Sequence, residues 1–568
     1  MVEILESNFD LNGCNSLQKW KYGKNWPVVY IIHNQKEAYI GETTSIFVRS
    51  HTHFNNPIRH NLVKLHVIAD KDFNKSVVLD IESFLIRHMA SDGVFSLQNS
   101  NSGIQSHDYF DKQKYNSTIH EIWKKLKELN LVNQDIRSIE NSDIFKFSPY
   151  KSLTNDQYIT AKNILDEVVD NIKNKEKGTI VVKGGAGTGK TVLGIFLMKL
   201  LIDLKPNDTE FDDEENLLMD GIAGIRESDL KLSIGLVIPM ESLRNTLRKV
   251  FKKVKGLKSS MVLSPHECVG KHFDILIVDE AHRLRRRKNL TQYKTFDENN
   301  SKLELGQEGT ELDWIMKSSD QQILFYDIKQ SIKPTDISKD AIDHLLNNRV
   351  QKEKMFNLET QLRCIGGEEY INYIYAIFST TPPKTKTTFK DYDLKIFDDV
   401  KKMTESIRNI NEEIQLCRNV AGFSWKWKTK KKKSPKNKNG GFADGSIDIQ
   451  IGDYTYIWNT KATDWVNSPN SINEIGCIHT IQGYDLNYTG VILGNEIKYD
   501  PELKKIIIDR NHYFDVKGKN TANDEELHNY IINIYTTLMT RGIKGTYVYA
   551  CNPDLRKFLK KYIDFVKE

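Results

Sequence analysis

The chain has 568 residues and a formal net charge of +5; 39% of the residues are hydrophobic and 28% are charged. The composition is typical of a soluble globular protein, while the length excludes a single core and suggests about three or four domains. The six cysteines are scattered without a CxxC pair, which argues against a structural zinc site and a disulfide framework.

No apolar run approaches ~18 residues, so no membrane-spanning segment is expected. The first residues lack the basic and then apolar pattern of a secretory leader, and we therefore expect a cytoplasmic protein. The net charge is small for this length, so a surface for a polyanionic partner would have to be a local basic track.

The first hundred residues predict a hairpin followed by two helices. Two β-rich runs within residues 28–41 flank a polar turn at 33–37. Arg49 and His53 stand four residues apart on one face of a predicted helix, and Glu82 lies in an amphipathic helix predicted over residues 77–89. Taken singly, such side chains are ordinary hairpin aromatics and solvated helix residues.

Taken together, these residues resemble the GIY-YIG nuclease family over roughly residues 26–105. The matching positions are the two tyrosines, the arginine, the metal-ligand glutamate and the asparagine: Tyr30, Tyr39, Arg49, Glu82 and Asn99. The first motif departs from the family pattern, because Val28 stands in place of its glycine.

The resemblance implies a small α/β domain with a metal-dependent endonuclease site. Glu82 would hold one Mg²⁺ with several waters, because that ion dehydrates reluctantly. A tyrosine or His53 would help to deprotonate the attacking water, and Arg49 would counter the charge of the phosphorane. The residue types leave the choice of base open.

Residues 106–150 follow with a predicted amphipathic helix that places Ile119, Trp123 and Leu126 on one face. A polar stretch with little pattern comes after it. We interpret this part of the chain as a helical linker that packs by one face and has no function of its own.

Residues 179–193 join a β-branched run to an apolar helix through a glycine-rich turn. The turn fits the phosphate-loop pattern GxxxxGKS/T, in which glycines let backbone N–H groups close around phosphate oxygens at a helix N-terminus. Lys190 would reach the β- and γ-phosphates, and Thr191 would give its hydroxyl to Mg²⁺. The predicted ATP-binding residues are Gly184, Gly185, Ala186, Gly187, Thr188, Gly189, Lys190 and Thr191.

An apolar strand predicted over residues 274–278 ends in the adjacent acids Asp279 and Glu280. Two acids at the end of a buried strand have a poor structural explanation, whereas a parallel sheet delivers such residues to a nucleotide site. Asp279 would hold the Mg²⁺ through water, and Glu280 would orient and deprotonate the attacking water.

Further positions resemble motifs of superfamily 1 helicases. Gln157 stands where such helicases read the adenine edge, although Thr154 or Asn155 at the same helix start would serve as a purely structural cap. Gln330 follows the next predicted strand, at the position that senses the γ-phosphate and couples it to DNA. Residues 240–242 stand where such motors contact single-stranded nucleic acid.

The second half of the chain repeats the strand–helix rhythm. Arg363 matches the motif whose arginine touches the γ-phosphate from across the cleft. Gln482 and Gly483 match the motif that links DNA to nucleotide, and Arg541 would act as the arginine finger. Over about residues 150–565 the pattern resembles a bacterial branch related to the Schlafen helicase-like domain, which implies two RecA-like lobes with ATP between them.

Three charged runs interrupt this pattern. The acidic run at residues 207–219 is interpreted as a solvated loop that repels nucleic acid. Residues 283–288 and 428–438 are basic and would track phosphates, and each such contact would add salt dependence to binding. The alternative for the second run is a solvated lysine loop. Trp425 and Trp427 would stack on bases or belong to the core.

The sequence thus predicts an α/β protein with a GIY-YIG domain (1–105), a helical linker (106–150) and RecA-like lobes over 151–348 and 349–568, with a basic insertion near 425–445. We expect an ATP-dependent helicase or translocase coupled to an endonuclease, with one Mg²⁺ at each site. It would act on DNA rather than RNA, in bacterial phage defence, restriction or repair. The alternatives are an ATP-gated nuclease without unwinding and a nucleic-acid sensor. A homo-oligomer or a defence-system partner subunit stays open.

Overall fold

The computed structural model describes residues 2–99, 109–110, 112–151, 153–203, 232–290, 292–327, 330, 335–337, 341–342, 353–362, 364–429, 445–461, 464–481, 484–516, 519 and 523–566. Arg363, Gln482 and Gly483 lie outside the described residues, as do the acidic run at 207–219 and residues 430–444 of the basic insertion. The chain divides into two compact units. The first comprises residues 1–176, 191–234 and 247–262, and the second comprises residues 177–190, 235–246 and 263–568.

The described strands form one five-stranded sheet, two six-stranded sheets and two two-stranded ribbons. In chain order they are β1 (Glu3–Asn8), β2 (Val28–His33), β3 (Glu37–Thr43), β4 (Lys64–Ala69), β5 (Ser96–Leu97), β6 (Gly178–Gly184), β7 (Ile234–Val237), β8 (Val262–Leu263), β9 (Phe273–Val278), β10 (Ser319–Tyr326), β11 (Glu353–Leu358), β12 (Asp393–Ile396), β13 (Cys417–Ala421), β14 (Ile449–Ile451), β15 (Tyr454–Tyr456), β16 (Ile475–Cys477), β17 (Leu486–Leu493), β18 (Ile497–Asp500), β19 (Lys505–Ile508), β20 (Gly542–Ala550) and β21 (Asp564–Phe565).

The described α-helices are Leu11–Ser16, Ile46–Phe54, Lys75–Asp92, Asn116–Glu128, Ile136–Glu140, Asp143–Lys146, Asn155–Asn174, Lys190–Asp203, Glu241–Phe251, Pro265–Cys268, Tyr293–Lys302, Glu311–Ser318, Gly367–Ile377, Val400–Ile414, Ile478–Ile481, Asp524–Met539 and Pro553–Leu559. Several begin at a side-chain cap, as Asn523 does for the helix that precedes Arg541. None of the described helices is both long and apolar enough to cross a membrane.

The five-stranded sheet of the first unit has the order β1-β4-β2-β3-β5. Its predicted hairpin is confirmed, because β2 and β3 pair antiparallel with Tyr30 opposite Gly41. Alternate residues of β2, namely Val28, Tyr30 and Ile32, face a core that contains Leu17. The helix Lys75–Asp92 packs against both strands of the hairpin. The sheet therefore holds the first of the predicted sites.

The helices after residue 112 belong to the first unit rather than to a free linker. The ring of Trp123 lies 5.8 Å from that of His88 on the helix Lys75–Asp92. The carboxylate of Asp92 accepts hydrogen bonds from the backbone N–H groups of Asn133 and Gln134 over 3.1 and 2.6 Å. The predicted one-faced packing is thus present, and it anchors this segment to the helix that carries Glu82.

The first six-stranded sheet has the order β11-β6-β10-β9-β7-β8. Strand β6 lies between β11 and β10 and is parallel to both. Residues 275–278 of β9 are all buried, as expected for a parallel strand that is covered on both faces. Strand β11 lies in this sheet although the predicted second lobe begins at residue 349, so that boundary was wrong. The error arose because pairing with β6 is a contact distant in sequence.

The second six-stranded sheet has the order β16-β13-β17-β20-β12-β21, and its pairs are parallel. Helices Asp524–Met539 and Val400–Ile414 contribute buried side chains to the cores that this sheet shares with them. The second unit thus contains two parallel α/β lobes of RecA type, and both lobes contribute to the site described next.

Candidate functional site

The phosphate loop connects β6 to the helix Lys190–Asp203, as the sequence predicts. Gly187 and Gly189 have φ angles of +88° and +78°, a left-handed conformation that glycine adopts without steric cost. A Cβ atom on Gly184 would come within 2.5 Å of the hydroxyl oxygen of Thr188. The glycines are therefore required by the backbone of the loop itself.

The side chain of Lys190 is folded back over this loop. Its ammonium group donates hydrogen bonds to the carbonyl oxygens of Gly184 and Gly185 over 2.6 and 2.7 Å. It also lies 3.9 Å from the carboxylate of Asp327, at the end of β10. An incoming phosphate would exchange these neutral acceptors for charged ones, which form stronger hydrogen bonds with an ammonium group.

The two acids after β9 are both buried. Glu280 has a φ angle of +53°, which is a strained conformation for a non-glycine residue and is typical of functional sites. The backbone N–H of Asp327 donates to Nδ1 of His282, so Nε2 of that ring carries the proton and faces the Glu280 carboxylate at 3.0 Å. Burial raises the pKa of Glu280, but His282, Lys190 and Arg283 outweigh it and hold the pKa below its usual value. The carboxylate is therefore ionised at neutral pH.

Asp327 begins a chain of contacts that reaches the second lobe. Its carboxylate accepts a hydrogen bond of 2.7 Å from the side-chain amide of Gln330. The carbonyl oxygen of that amide accepts one of 3.3 Å from Arg541, whose side chain is fully buried. The predicted γ-phosphate sensor Gln330 and the predicted arginine finger Arg541 are therefore in direct contact, and Asp327 links Gln330 to Lys190.

A cavity of about 400 Å³ opens beside the loop. Its walls are the loop, the ends of β10 and β11, and the helix Gly367–Ile377 of the second lobe: Gly184, Thr188, Asp327, Asn357, Glu368 and Tyr375 are among its lining residues. Pockets for drug-sized ligands and cofactors span roughly 300–1,000 Å³. The volume and the glycine-lined cradle fit a nucleoside triphosphate.

Gln361 is a site residue that sequence reasoning missed. Its side-chain amide donates to the carbonyl oxygen of Ala186 over 2.5 Å, and the backbone N–H of Leu362 donates to that of Gly187 over 2.9 Å. These contacts place the two residues before Arg363 directly on the phosphate loop. Their sequence signal is the Gln-Leu-Arg triplet itself, in which only the arginine was given a role.

Two predicted nucleotide residues lie in the first unit. Thr191 is in the first turn of the helix Lys190–Asp203. Gln157 is buried and forms a capping box with Thr154: the Gln157 backbone N–H donates to the Thr154 hydroxyl, and the Thr154 N–H donates to the Gln157 side chain. Gln157 is thus used structurally at the start of its helix, as the alternative anticipated.

The predicted nuclease residues converge in the first unit. The hydroxyl of Tyr30 is 2.6 Å from Nε2 of His53 and accepts a hydrogen bond of 3.4 Å from Nε of Arg49. The ring of Tyr39 packs against the His53 ring, with centroids 4.9 Å apart. The side-chain amide of Asn99 bonds to the backbone of Ile40 in both directions, over 3.1 and 2.8 Å, and so fixes the strand that carries Tyr39.

The remaining features of this site concern its charge. Glu82 is buried on the helix Lys75–Asp92. Burial above all raises the pKa of Tyr30 well above its usual value; Tyr39 and Glu82 add to this rise, and Arg49 opposes it. Gly41 faces Tyr30 so closely that a Cβ atom would lie 2.3 Å from its hydroxyl oxygen. One carboxylate with waters as the remaining ligands is a mode in which proteins bind Mg²⁺, and Glu82 supplies a buried carboxylate of this kind.

Several side chains of the basic run after β9 are paired with carboxylates. Arg283 pairs with Asp336 at 2.7 Å, Arg285 with Glu311 at 2.6 Å, and Arg287 with both oxygens of Asp297 at 2.7 and 3.0 Å. Lys288 lies 3.7 Å from Glu526. The carboxylates that pair with these side chains come from distant segments, and phosphate binding by residues 283–288 stays a prediction.

Trp425 and Trp427 belong to the packing of the second lobe. Both are partly buried against its core, and their rings lie 6.4 and 6.0 Å from that of the buried Trp458. The indole N–H of Trp425 donates to the carbonyl oxygen of Gln450 over 3.3 Å. Of the two predicted alternatives, the structure therefore favours the core over base stacking.

A phosphate loop, two acids after another strand of the same sheet and an arginine from a second parallel lobe define a helicase-like P-loop ATPase. The chain belongs to the family described as Schlafen group 3, DNA/RNA helicase domain, which matches residues 177–552. It is 26% identical over 421 residues to an uncharacterized protein of Saccharomyces cerevisiae, which covers 68% of this chain and 84% of that protein.

The chain is also similar to solved helicase structures. For the Arterivirus nonstructural protein 10 helicase the identity is 12% and the TM-score 0.27, over 70% of this chain and 64% of that one. For the DEAD-box helicase Mss116 bound to ssRNA the identity is 13% and the TM-score is 0.34, and the match covers 78% of this chain and 80% of that one. At TM-scores this low, these likenesses carry no part of the argument.

Proposed function

We propose that the chain is an ATP-dependent superfamily 1 helicase or translocase joined to a Mg²⁺-dependent endonuclease of GIY-YIG type, with DNA as its substrate. The observation that carries the motor is the run of contacts from Lys190 through Asp327 and Gln330 to Arg541. Such a run links a phosphate loop in one lobe to an arginine in the other, so a change at the nucleotide can alter the packing of the lobes.

The roles at the nucleotide follow from the position and charge of each group. Lys190 binds the β- and γ-phosphates, while Thr191 and Asp279 hold the Mg²⁺. Glu280, ionised and oriented by His282, accepts the proton of the attacking water. Arg541 stabilises the charge that develops on the γ-phosphate. By the family resemblance, Arg363 contacts the same phosphate, and Gln482 and Gly483 couple it to DNA.

The nuclease proposal is supported by the convergence of Tyr30, Tyr39, Arg49 and His53 around one buried point, with Glu82 close enough to act on Tyr30. A cation held by Glu82 would polarise the scissile phosphate when bound. Arg49 would counter the negative charge of the phosphorane. Val28, which stands in place of the family's glycine, is buried in the same core as Tyr30.

We place the enzyme in bacterial phage defence, restriction or repair on its architecture alone, because a motor joined to a nuclease suits those tasks. Two other functions remain as rivals: an ATP-gated nuclease that never unwinds, and a sensor that binds nucleic acid without cutting it. A second copy of the chain or a partner subunit would be compatible with each of them.

The test of this function is the ATPase rate in Mg²⁺ with single-stranded DNA, duplex DNA and RNA, with the lengths of the products recorded in the same reactions. We expect DNA to stimulate hydrolysis and to be shortened. Stimulation by RNA alone would show that the substrate is RNA rather than DNA. An ATPase rate that no nucleic acid alters would contradict the proposed helicase or translocase activity.

A further inference from the structure

Arg59 belongs to no predicted motif, yet it lies inside the N-terminal site. It ends the short helical turn Pro57–Arg59 and is only 8% exposed. Its guanidinium group covers the ring of Tyr39, with the central carbon 3.7 Å from the ring centroid. One of its N–H groups donates to Nδ1 of His53, whose side chain is fully buried.

The contact with Arg59 determines which nitrogen of His53 carries the proton. A guanidinium group offers only N–H donors and does not lose its proton in proteins. Nδ1 of His53 must therefore present its lone pair. A neutral imidazole has a single N–H, so the proton resides on Nε2. Both the other tautomer and the doubly protonated ring would set two donors against each other.

This tautomer fixes the direction of the next hydrogen bond. Nε2 of His53 lies 2.6 Å from the hydroxyl oxygen of Tyr30 and must be the donor. Nε of Arg49 donates to the same oxygen over 3.4 Å. The Tyr30 oxygen thus accepts two hydrogen bonds.

We propose that Arg59 is a positioning residue that holds His53 in the Nε2–H tautomer, so that His53 serves as a hydrogen-bond donor to the uncharged phenol of Tyr30. The inference deepens the proposed endonuclease and rests on that function only for its catalytic consequence. It also removes His53 from the two kinds of base that the residue types leave open, because Arg59 donates to the lone pair of Nδ1 and Nε2 carries the proton. The other titratable and charged groups around His53 are Tyr39, Arg49 and, through Tyr30, Glu82.

The first experiment reads the tautomer directly, by nitrogen NMR of the full chain labelled with ¹⁵N-histidine. The His53 signals are those that disappear in His53→Gln. At pH 8, above the ordinary histidine pKa of about 6.5, we expect Nδ1 of His53 to be unprotonated and Nε2 protonated. In Arg59→Leu, which removes the donor, we expect both tautomers to be populated. Arg59→Lys retains a donor and should restore the native signals.

The second experiment measures cleavage of plasmid DNA in Mg²⁺ by the same variants. Arg59→Leu should lower kcat about tenfold or more with KM unchanged, because Arg59 acts through His53 rather than on the substrate. Arg59→Lys should recover most of that loss. Protonated Nδ1 of His53 in the wild-type spectrum would overturn the proposal, and this outcome does not depend on how well Arg59→Leu folds. Native His53 signals in Arg59→Leu would overturn it as well. Failure of the wild type to cleave DNA would instead refute the proposed endonuclease.

Discussion

The guanidinium group of Arg541 donates a hydrogen bond of 3.3 Å to the side-chain carbonyl oxygen of Gln330, and both side chains are buried. The two residues are 211 positions apart in the chain. Gln330 in turn donates to Asp327, which lies 3.9 Å from the ammonium group of Lys190. The predicted arginine finger is thus held by a glutamine whose other partner lies beside the phosphate-loop lysine.

This contact predicts that Gln330 and Arg541 act as one unit. Arg541→Ala should lower the ATPase kcat by about 10³–10⁵-fold, the range for arginine fingers. Gln330→Ala should lower it less, because the arginine is displaced rather than removed. The double variant should be no slower than Arg541→Ala, since residues in contact are not additive. Losses that simply multiply would show that the contact has no role in turnover.

The ionised, strained Glu280 predicts the second outcome. Glu280→Gln keeps the shape of the side chain but removes the proton acceptor, so ATP hydrolysis should fall by about 10²–10⁴-fold while ATP binding persists. Rates and nucleotide affinity are measured on the same preparation. The exposed Glu298→Gln is the matched control and should be unchanged. DNA-stimulated hydrolysis that survives Glu280→Gln would place the base elsewhere.

Lys190 predicts a third, separable defect. Lys190→Ala removes the ammonium group that bridges Gly184, Gly185 and Asp327, so both nucleotide affinity and turnover should fall, the latter by about 10²–10³-fold. The measurement is equilibrium binding of a fluorescent nucleotide together with the hydrolysis rate. Unchanged affinity would contradict the position assigned to Lys190, and Lys177→Ala, at a surface ion pair, is the control.

The sequence predicts those site residues that belong to a short local motif. The phosphate loop needs only glycines, Lys190 and a following helix, and the acids after β9 need only their strand. Gln361 and Arg59 could not be found in this way, because their roles arise from contacts with Ala186 and His53 that depend on the folded chain.

The same limit explains the boundary error and the unforeseen ion pairs of the basic run after β9. Strand β11 was assigned to the second lobe because an isolated apolar run does not reveal which parallel strand it will join. The arginines after β9 were predicted to bind phosphate because their charge is local. Their partners are not: Asp336 is 53 positions from Arg283 in the chain. Charge runs therefore predict a surface poorly when the opposite charges lie in other segments.

The N-terminal site predicts that cleavage and hydrolysis can be separated. Glu82→Gln should abolish metal-dependent nicking of plasmid DNA and leave the ATPase rate unchanged. Lys190→Ala should lower the ATPase rate and leave the nicking unchanged. Glu6→Gln, at an exposed glutamate of the same unit, is the control. Strand displacement by Glu82→Gln would exclude the ATP-gated nuclease, and nicking that survives this variant would refute the assigned metal ligand.

A buried acid in the second lobe predicts a pH dependence of stability. Glu496 is fully buried, and its carboxylate accepts a hydrogen bond of 2.6 Å from the hydroxyl of Tyr535. Cβ atoms on Gly422 and Gly494 would lie 2.5 and 2.4 Å from its oxygens, so the backbone packs closely against the carboxylate. Burial raises the pKa of Glu496 from 4.5 to about 7, although Tyr535 and Ser424 oppose the rise.

The sign follows from proton binding. The folded chain binds this proton more tightly than the unfolded chain, so the contribution to stability is complete below about pH 4.5 and is lost as the pH rises through 7. The loss amounts to roughly 3 kcal/mol at most. Glu496→Gln cannot ionise, so its unfolding free energy, measured in urea, should approach or exceed that of the wild type as the pH rises from 5 to 8. Tyr535→Phe removes a hydrogen bond that favours the charged form and should shift the loss to higher pH. Equal pH dependence in wild type and Glu496→Gln would show that another group is responsible.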